Sequence, residues 1–168
     1  MASSVTVTYL VKATVAEVLD SAKVPAAADG ARTVTHSGFD TEKKILSGAS
    51  TPPVSLVACM AKALSGGAAT IDLTALTGTN LLSIDGTGLR VQILRLKNPA
   101  TNANPITIAK GASAGYDGLG AAFSHTVVPG GEATFLTNDA GSDIGAGNKT
   151  LDLAGTGSQV LDVEIVLG

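Results

Sequence analysis

Apolar and polar residues alternate along much of the chain with a period of two. Val5, Val7, Tyr9 and Val11 fall on one side of an N-terminal run and Thr6 and Thr8 on the other, which predicts a strand with one wet face. The same pattern closes the chain, where Leu161, Val163, Ile165 and Leu167 alternate with Asp162 and Glu164. Ile71 and Leu73 alternate with Asp72 and Thr74, and Ile106 shares a side with Ile108. One run breaks step. Val91 and Ile93 do not alternate cleanly with Leu94 and Leu96, so this strand is expected to be apolar on both faces or to carry a bulge.

Turn-forming residues separate these runs. Ser65-Gly66-Gly67, Pro129-Gly130-Gly131 and the segment 156–159 predict hairpins between the strands that flank them. Asn98-Pro99 and Asn104-Pro105 mark a further turn and return. Residues 54–64 suit a helix by composition, but Pro52-Pro53 before them and Gly66-Gly67 after them favour a strand. Residues 13–24 stay open between strand and short helix, and residues 32–46 between exposed strands and a loop. Strands recur every 8–14 residues or so, and no strand–helix alternation supports a parallel sheet. The expected fold is all-β: an antiparallel β-sandwich or a jelly-roll-like barrel with short hairpins. Residues 68–168 form its core. Residues 1–67 supply N-terminal strands and a possible arm, read as part of the same domain.

Composition sharpens the picture. The chain has 168 residues, 45% apolar, enough for a core without staples. Aromatic residues are 3% with no Trp, so the core is expected to be Ala, Val, Leu and Ile. Charged residues are only 15%, against roughly 25% in ordinary soluble domains. A lightly charged surface of this kind suits contact with another subunit. Net charge is −3, and the basic residues are scattered singly apart from Lys43-Lys44. That argues against a nucleic-acid partner, which needs a basic stripe. No apolar run approaches the ~18 residues of a membrane span, and the first residues lack the pattern of a secretory leader, so synthesis in the cytosol is expected.

The candidates for chemistry are few. Cys59 lies in an apolar run and reads as a small buried hydrophobe. His36 and His125 stand alone, without a second ligand at metal spacing. Asp139 and Asp143 could hold calcium with the carbonyls between them, but an Asp/Gly loop is usually a turn. Asp162 and Glu164 share one strand face about 7 Å apart by strand geometry. That face is the wet one, a poor place for paired-carboxylate catalysis. Asp72 and Asp152 read the same way. The segment 141–150 resembles a phosphate-binding loop, but Asn148 separates Gly147 from Lys149, and a strand follows where a helix is required. Asn148-Lys149-Thr150 fits a glycosylation sequon, which carries little weight without a leader. No G-x-S-x-G elbow is present. The expectation is therefore no catalytic, cofactor-binding or metal-binding residues, no cofactor and no enzyme activity.

The C-terminal half carries a resemblance. A strand ending in Lys97-Asn98 leads to "TIAKGAS" at 107–113, then to "PGG" at 129–131 and to the closing "GTGSQVLDVEIVLG" at 155–168. Upstream lies "AATIDLTALTG" at 68–78. Over residues 68–168 this resembles small virion structural proteins of tailed bacteriophages and prophages. The resemblance implies an antiparallel β domain acting as a capsid decoration or cement protein, or as a related head or tail component. It further implies a homo-oligomer, often a trimer, held on a capsid or tail protein lattice, and a location in the virion after assembly in the host cytoplasm. It brings no catalytic residues. The alternative is a receptor- or glycan-binding module of a tail fibre, with the loop 112–123 around Tyr116 as its contact.

Overall fold

A computed structural model describes residues 6–11, 15–19, 32–36, 41–51, 53–78, 81–137 and 141–168. Every regular element among them is a strand. The chain divides into two compact units, Val7–Ile45 and a larger one that includes Leu46–Gly168. The smaller holds β1 (Thr6–Val11), β2 (Val15–Leu19), β3 (Arg32–His36) and β4 (Thr41–Ser47), apart from the end residues of β1 and β4. They form two ribbons, β1 with β4 and β2 with β3. The open choice over residues 13–24 thus resolves to strand at Val15–Leu19.

The larger unit is a sandwich. Its strands are β5 (Leu56–Ala63), β6 (Ala68–Asp72), β7 (Leu76–Thr77), β8 (Ser83–Ile84), β9 (Val91–Lys97), β10 (Ile106–Lys110), β11 (Ser124–Val127), β12 (Glu132–Leu136), β13 (Thr150–Ala154) and β14 (Val160–Leu167). One sheet runs β12-β9-β14-β5 and the other β11-β10-β13-β6, with β7 and β8 as a separate pair. Pairing within both four-stranded sheets is antiparallel. Successive long strands lie in opposite sheets, except β10 and β11, which are neighbours in one sheet. Eight strands in this order make the double-sheet jelly roll, with two open sheets and no closed barrel.

This order corrects the expected pairings. The runs on either side of Ser65-Gly66-Gly67, Pro129-Gly130-Gly131, the Asn-Pro turn and residues 156–159 are strands, but in each case they belong to different sheets. The turns are corners that carry the chain across the core. Gly67 shows why glycine is needed at one of them. Its φ is +84°, and a Cβ there would lie 2.7 Å from the Gly155 carbonyl oxygen. Local turn chemistry is the same for a hairpin and a corner; only the partner strand differs.

The core is one cluster between the sheets, aliphatic apart from Tyr116, with Phe123 and Phe135 packed against it. β14 supplies Leu161, Val163, Ile165 and Leu167, β13 Leu151 and Leu153, β10 Ile106 and Ile108, and β6 Ile71. The broken step in β9 is a bulge. Val166 pairs with Ile93 and Leu167 with Val91, so Gln92 is the extra residue. The bulge lets Val91, Leu94 and Leu96 all join the core although their numbers do not share one parity. Phe123, His125 and Phe135 close the β11–β12 side, with Phe135 edge-on to both rings at 5.2 and 5.0 Å.

The Asn-Pro segment is held from inside. Asn98 is fully buried, and its Nδ2 donates to the carbonyls of Val127 (2.8 Å) and Asn104 (3.2 Å). Asn102 Nδ2 donates to Asn98 Oδ1 and to the Val160 carbonyl, both at 2.6 Å. Gln159 Nε2 donates to the Asn104 carbonyl, and its Oε1 accepts the Thr156 N–H. One satisfied network thus locks the β9–β10 corner to the β13–β14 corner.

Candidate functional site

The two outer faces of the sandwich are the broad surfaces on offer. Residues opposite each other in an antiparallel pair share a face, so the register reads the surface directly. On the β12-β9-β14-β5 sheet one row is Glu132, Lys97, Asp162 and Ala61, and the next is Thr134, Arg95, Glu164 and Cys59. A third row is apolar, Leu136, Ile93, Val166 and Val57, and Ile93 and Val166 are buried there, so the middle of this row is not open to solvent. Arg95 bridges Glu132 at 3.0 Å and Glu164 at 3.3 Å, and Lys97 lies 3.6 Å from Glu132. The Arg95 guanidinium holds the Glu132 carboxyl below its usual range, and both carboxylates hold the guanidinium proton more tightly. Between these charges and the small β5 side chains runs an open groove of about 400 Å³, lined by Cys59, Ala61, Arg95, Lys97, Asp162 and Glu164 among others.

The opposite sheet presents small side chains. Its rows are Thr126, Thr107, Ala154 and Ala68, then Ser124, Ala109, Asp152 and Thr70. Thr107 and Thr126 share a hydrogen bond at 2.8 Å. Asp152 accepts the Thr70 hydroxyl at 2.8 Å with one oxygen and the Ala112 N–H at 2.8 Å with the other. Asp72, at the end of β6, accepts the Thr74 N–H and hydroxyl and pairs with Lys149 at 2.7 Å. The Lys149 ammonium, helped by Thr74, lowers its carboxyl from 3.8 to about 2. Asp85 repeats the same local turn with Thr87.

Several sequence candidates resolve at this point. Asp162 and Glu164 do lie on the wet face, but Glu164 is engaged by Arg95 while no bond reaches Asp162 among the described residues. Asp72 and Asp152 are more than solvated charges, since each ties a turn or a loop to its strand. Cys59 is a correction: it is exposed. β5 is a strand whose odd residues face outward, so an apolar neighbourhood in sequence does not mean burial. Tyr116 is a second correction. It is fully buried, and its hydroxyl accepts the Val91 N–H and donates to the Ser142 carbonyl, each at 3.0 Å. Burial pushes its phenol up. A Cβ on Gly118 would collide with the same hydroxyl. The aromatic ring pins the loop from within and is not offered to a ligand.

Asp143 is bound by Arg90 at 2.6 Å, while Asp139 lies outside the described residues. No group of three potential metal ligands occurs among the described residues. Asn148 closes a tight turn with Gly145, its side chain serving the Asp117 N–H and the Asp143 carbonyl, and β13 follows as a strand. His125 faces the core from β11, opposite Ile108. His36 lies in β3, opposite Val15. No helix among the described residues is long and apolar enough to cross a membrane.

The class these features define is an antiparallel β-sandwich with jelly-roll strand order. No family model matches the chain, and no curated protein or solved structure matches it.

Proposed function

We propose that the chain is a non-enzymatic virion structural protein, a capsid decoration or cement protein that works by self-assembly and by contacts with a capsid or tail lattice. The observation that carries this reading is where the phage-like motifs fall. Lys97-Asn98 ends β9, Gly111-Ala112-Ser113 follows β10, Pro129-Gly130-Gly131 and Gly155-Thr156-Gly157 are corners, and the final run is β14. The resemblance thus follows the joints of one sandwich, and jelly rolls recur in viral capsid domains. The link from fold to role is an analogy of architecture. A homo-oligomer, with three copies the number the resemblance implies, belongs to the reading, as do a place in the virion and assembly in the host cytoplasm. Nucleic acid, membrane and cofactor have no part in it.

The ligand-binding alternative loses its aromatic anchor with Tyr116 buried. Counting copies of the chain in particles purified from the source tests the proposal. A decoration protein is present in numbers that match the lattice. A handful of copies per particle points to a fibre tip, and absence overturns the proposal.

A further inference from the structure

The four edge strands of the sandwich are not equally open. In β6, the backbone groups of Ala68, Thr70 and Asp72 face away from β13, because Leu73 and its odd-numbered neighbours bond to it. Ala68 exchanges both bonds with Ser65, and the Asp72 carbonyl accepts the Ala75 N–H, so Thr70 alone keeps both groups free. β5 is bridged at Ala58 by Gly78. In its remaining half Lys62 lies opposite the buried Leu161, on the core side of an edge strand, where a pairing partner would have to bury its ammonium. β11 has four residues, and Pro129 follows closely.

Among the described residues β12 carries none of these blocks. Asn98 bonds to Gly131 and Thr137 to Gln92, which sets the parity: Ala133 and Phe135 point their backbone groups at β9, and Glu132, Thr134 and Leu136 point theirs at the open edge. All three are exposed, and Leu136 leaves 41% of its surface in solvent. We propose that this edge is a docking surface for a second copy of the chain, β12 pairing with β12 antiparallel about a two-fold axis through Thr134. The inference rests on the self-assembly reading and deepens it by naming one contact.

The strand can pair with itself in this register without opposing like charges. Thr134 meets Thr134, and Glu132 meets Leu136 and not another Glu132, so no like charges are opposed. The residues that would face each other in hydrogen-bonded pairs are the same three whose N–H and C=O groups are free. Phe135 of each copy would lie beside Ala133 of the other, extending the aromatic closure of the core. An isologous contact of this kind closes on itself and leaves no new edge. It is a two-fold contact, separate from whatever three-fold contact the resemblance implies.

The test uses the full chain in a Cys59→Ser background. Opposed residues in a hydrogen-bonded pair have Cα atoms about 5.5 Å apart, within disulfide range. Thr134→Cys is therefore expected to give a covalent dimer under mild oxidation, while Ser124→Cys on the neighbouring edge strand is not. Thr134→Pro removes an N–H that faces outward, so an edge strand tolerates it. It is expected to weaken two-fold association by at least about tenfold, the equivalent of one or two hydrogen bonds, with an unchanged far-ultraviolet spectrum. An assembled protein in which Thr134→Cys fails to cross-link and Thr134→Pro keeps the parent's mass overturns the edge contact and leaves self-assembly standing. A chain that stays monomeric at all concentrations overturns both.

Discussion

The two outer faces of the sandwich solve one problem in opposite ways. On the β12-β9-β14-β5 sheet, long side chains reach across strands and trade charge in solvent, Arg95 holding two carboxylates at once. On the β11-β10-β13-β6 sheet, short side chains hold loops and turns through backbone and hydroxyl contacts, Asp152 tying Ala112 and Thr70 together. The first kind of contact is screened by water and salt. The second anchors a segment of chain. Acids that look alike in the sequence therefore differ in what they do, and stability is expected to depend on the quieter face.

The largest test of this contrast is Asp152→Ala, which strips a partner from the Ala112 N–H and from the Thr70 hydroxyl together. Denaturant unfolding should show a loss of about 1–3 kcal/mol. A loss no greater than that of Asp162→Ala would erase the distinction between the faces. Acid unfolding gives the next effect. The Asp72 carboxyl sits near 2 when folded, below its ordinary 3.8, so the unfolded chain binds its proton more readily. Its contribution is complete above about pH 4 and is lost as pH falls towards 2, and Asp72→Asn should flatten that part of the stability–pH curve. Arg95→Ala should cost less than Asp152→Ala, because its pairs are exposed, and half-molar salt should shrink the difference. Asp162→Ala, with no partner to lose, should fall within about 0.5 kcal/mol of the parent.

How much of this was legible in the sequence divides along physical lines. Period-two alternation located the strands and, for Leu161 to Leu167, the buried face, because the side-chain period of a strand is a local property. The irregular step at Val91–Leu96 signalled the bulge at Gln92. Partner choice was not local. The Gly- and Pro-rich turns that suggested hairpins are corners, since the same φ angles serve either, and only the global strand order decides. Cys59 was misread because its apolar neighbours mixed both faces of β5. Tyr116 was misread because an aromatic in a Gly-rich loop looks exposed until the Val91 N–H and Ser142 carbonyl are found on its hydroxyl. The Asp152 anchor had no sequence signal, since its partners lie 40 and 82 positions away.

The proposed role requires that this sandwich associate with copies of itself. The decisive measurement is light scattering on the 168-residue chain as it elutes over a dilution series. Self-association predicts a mass that is a multiple of the 16.6 kDa chain and persists on dilution. A mass of 16.6 kDa at every concentration would contradict it.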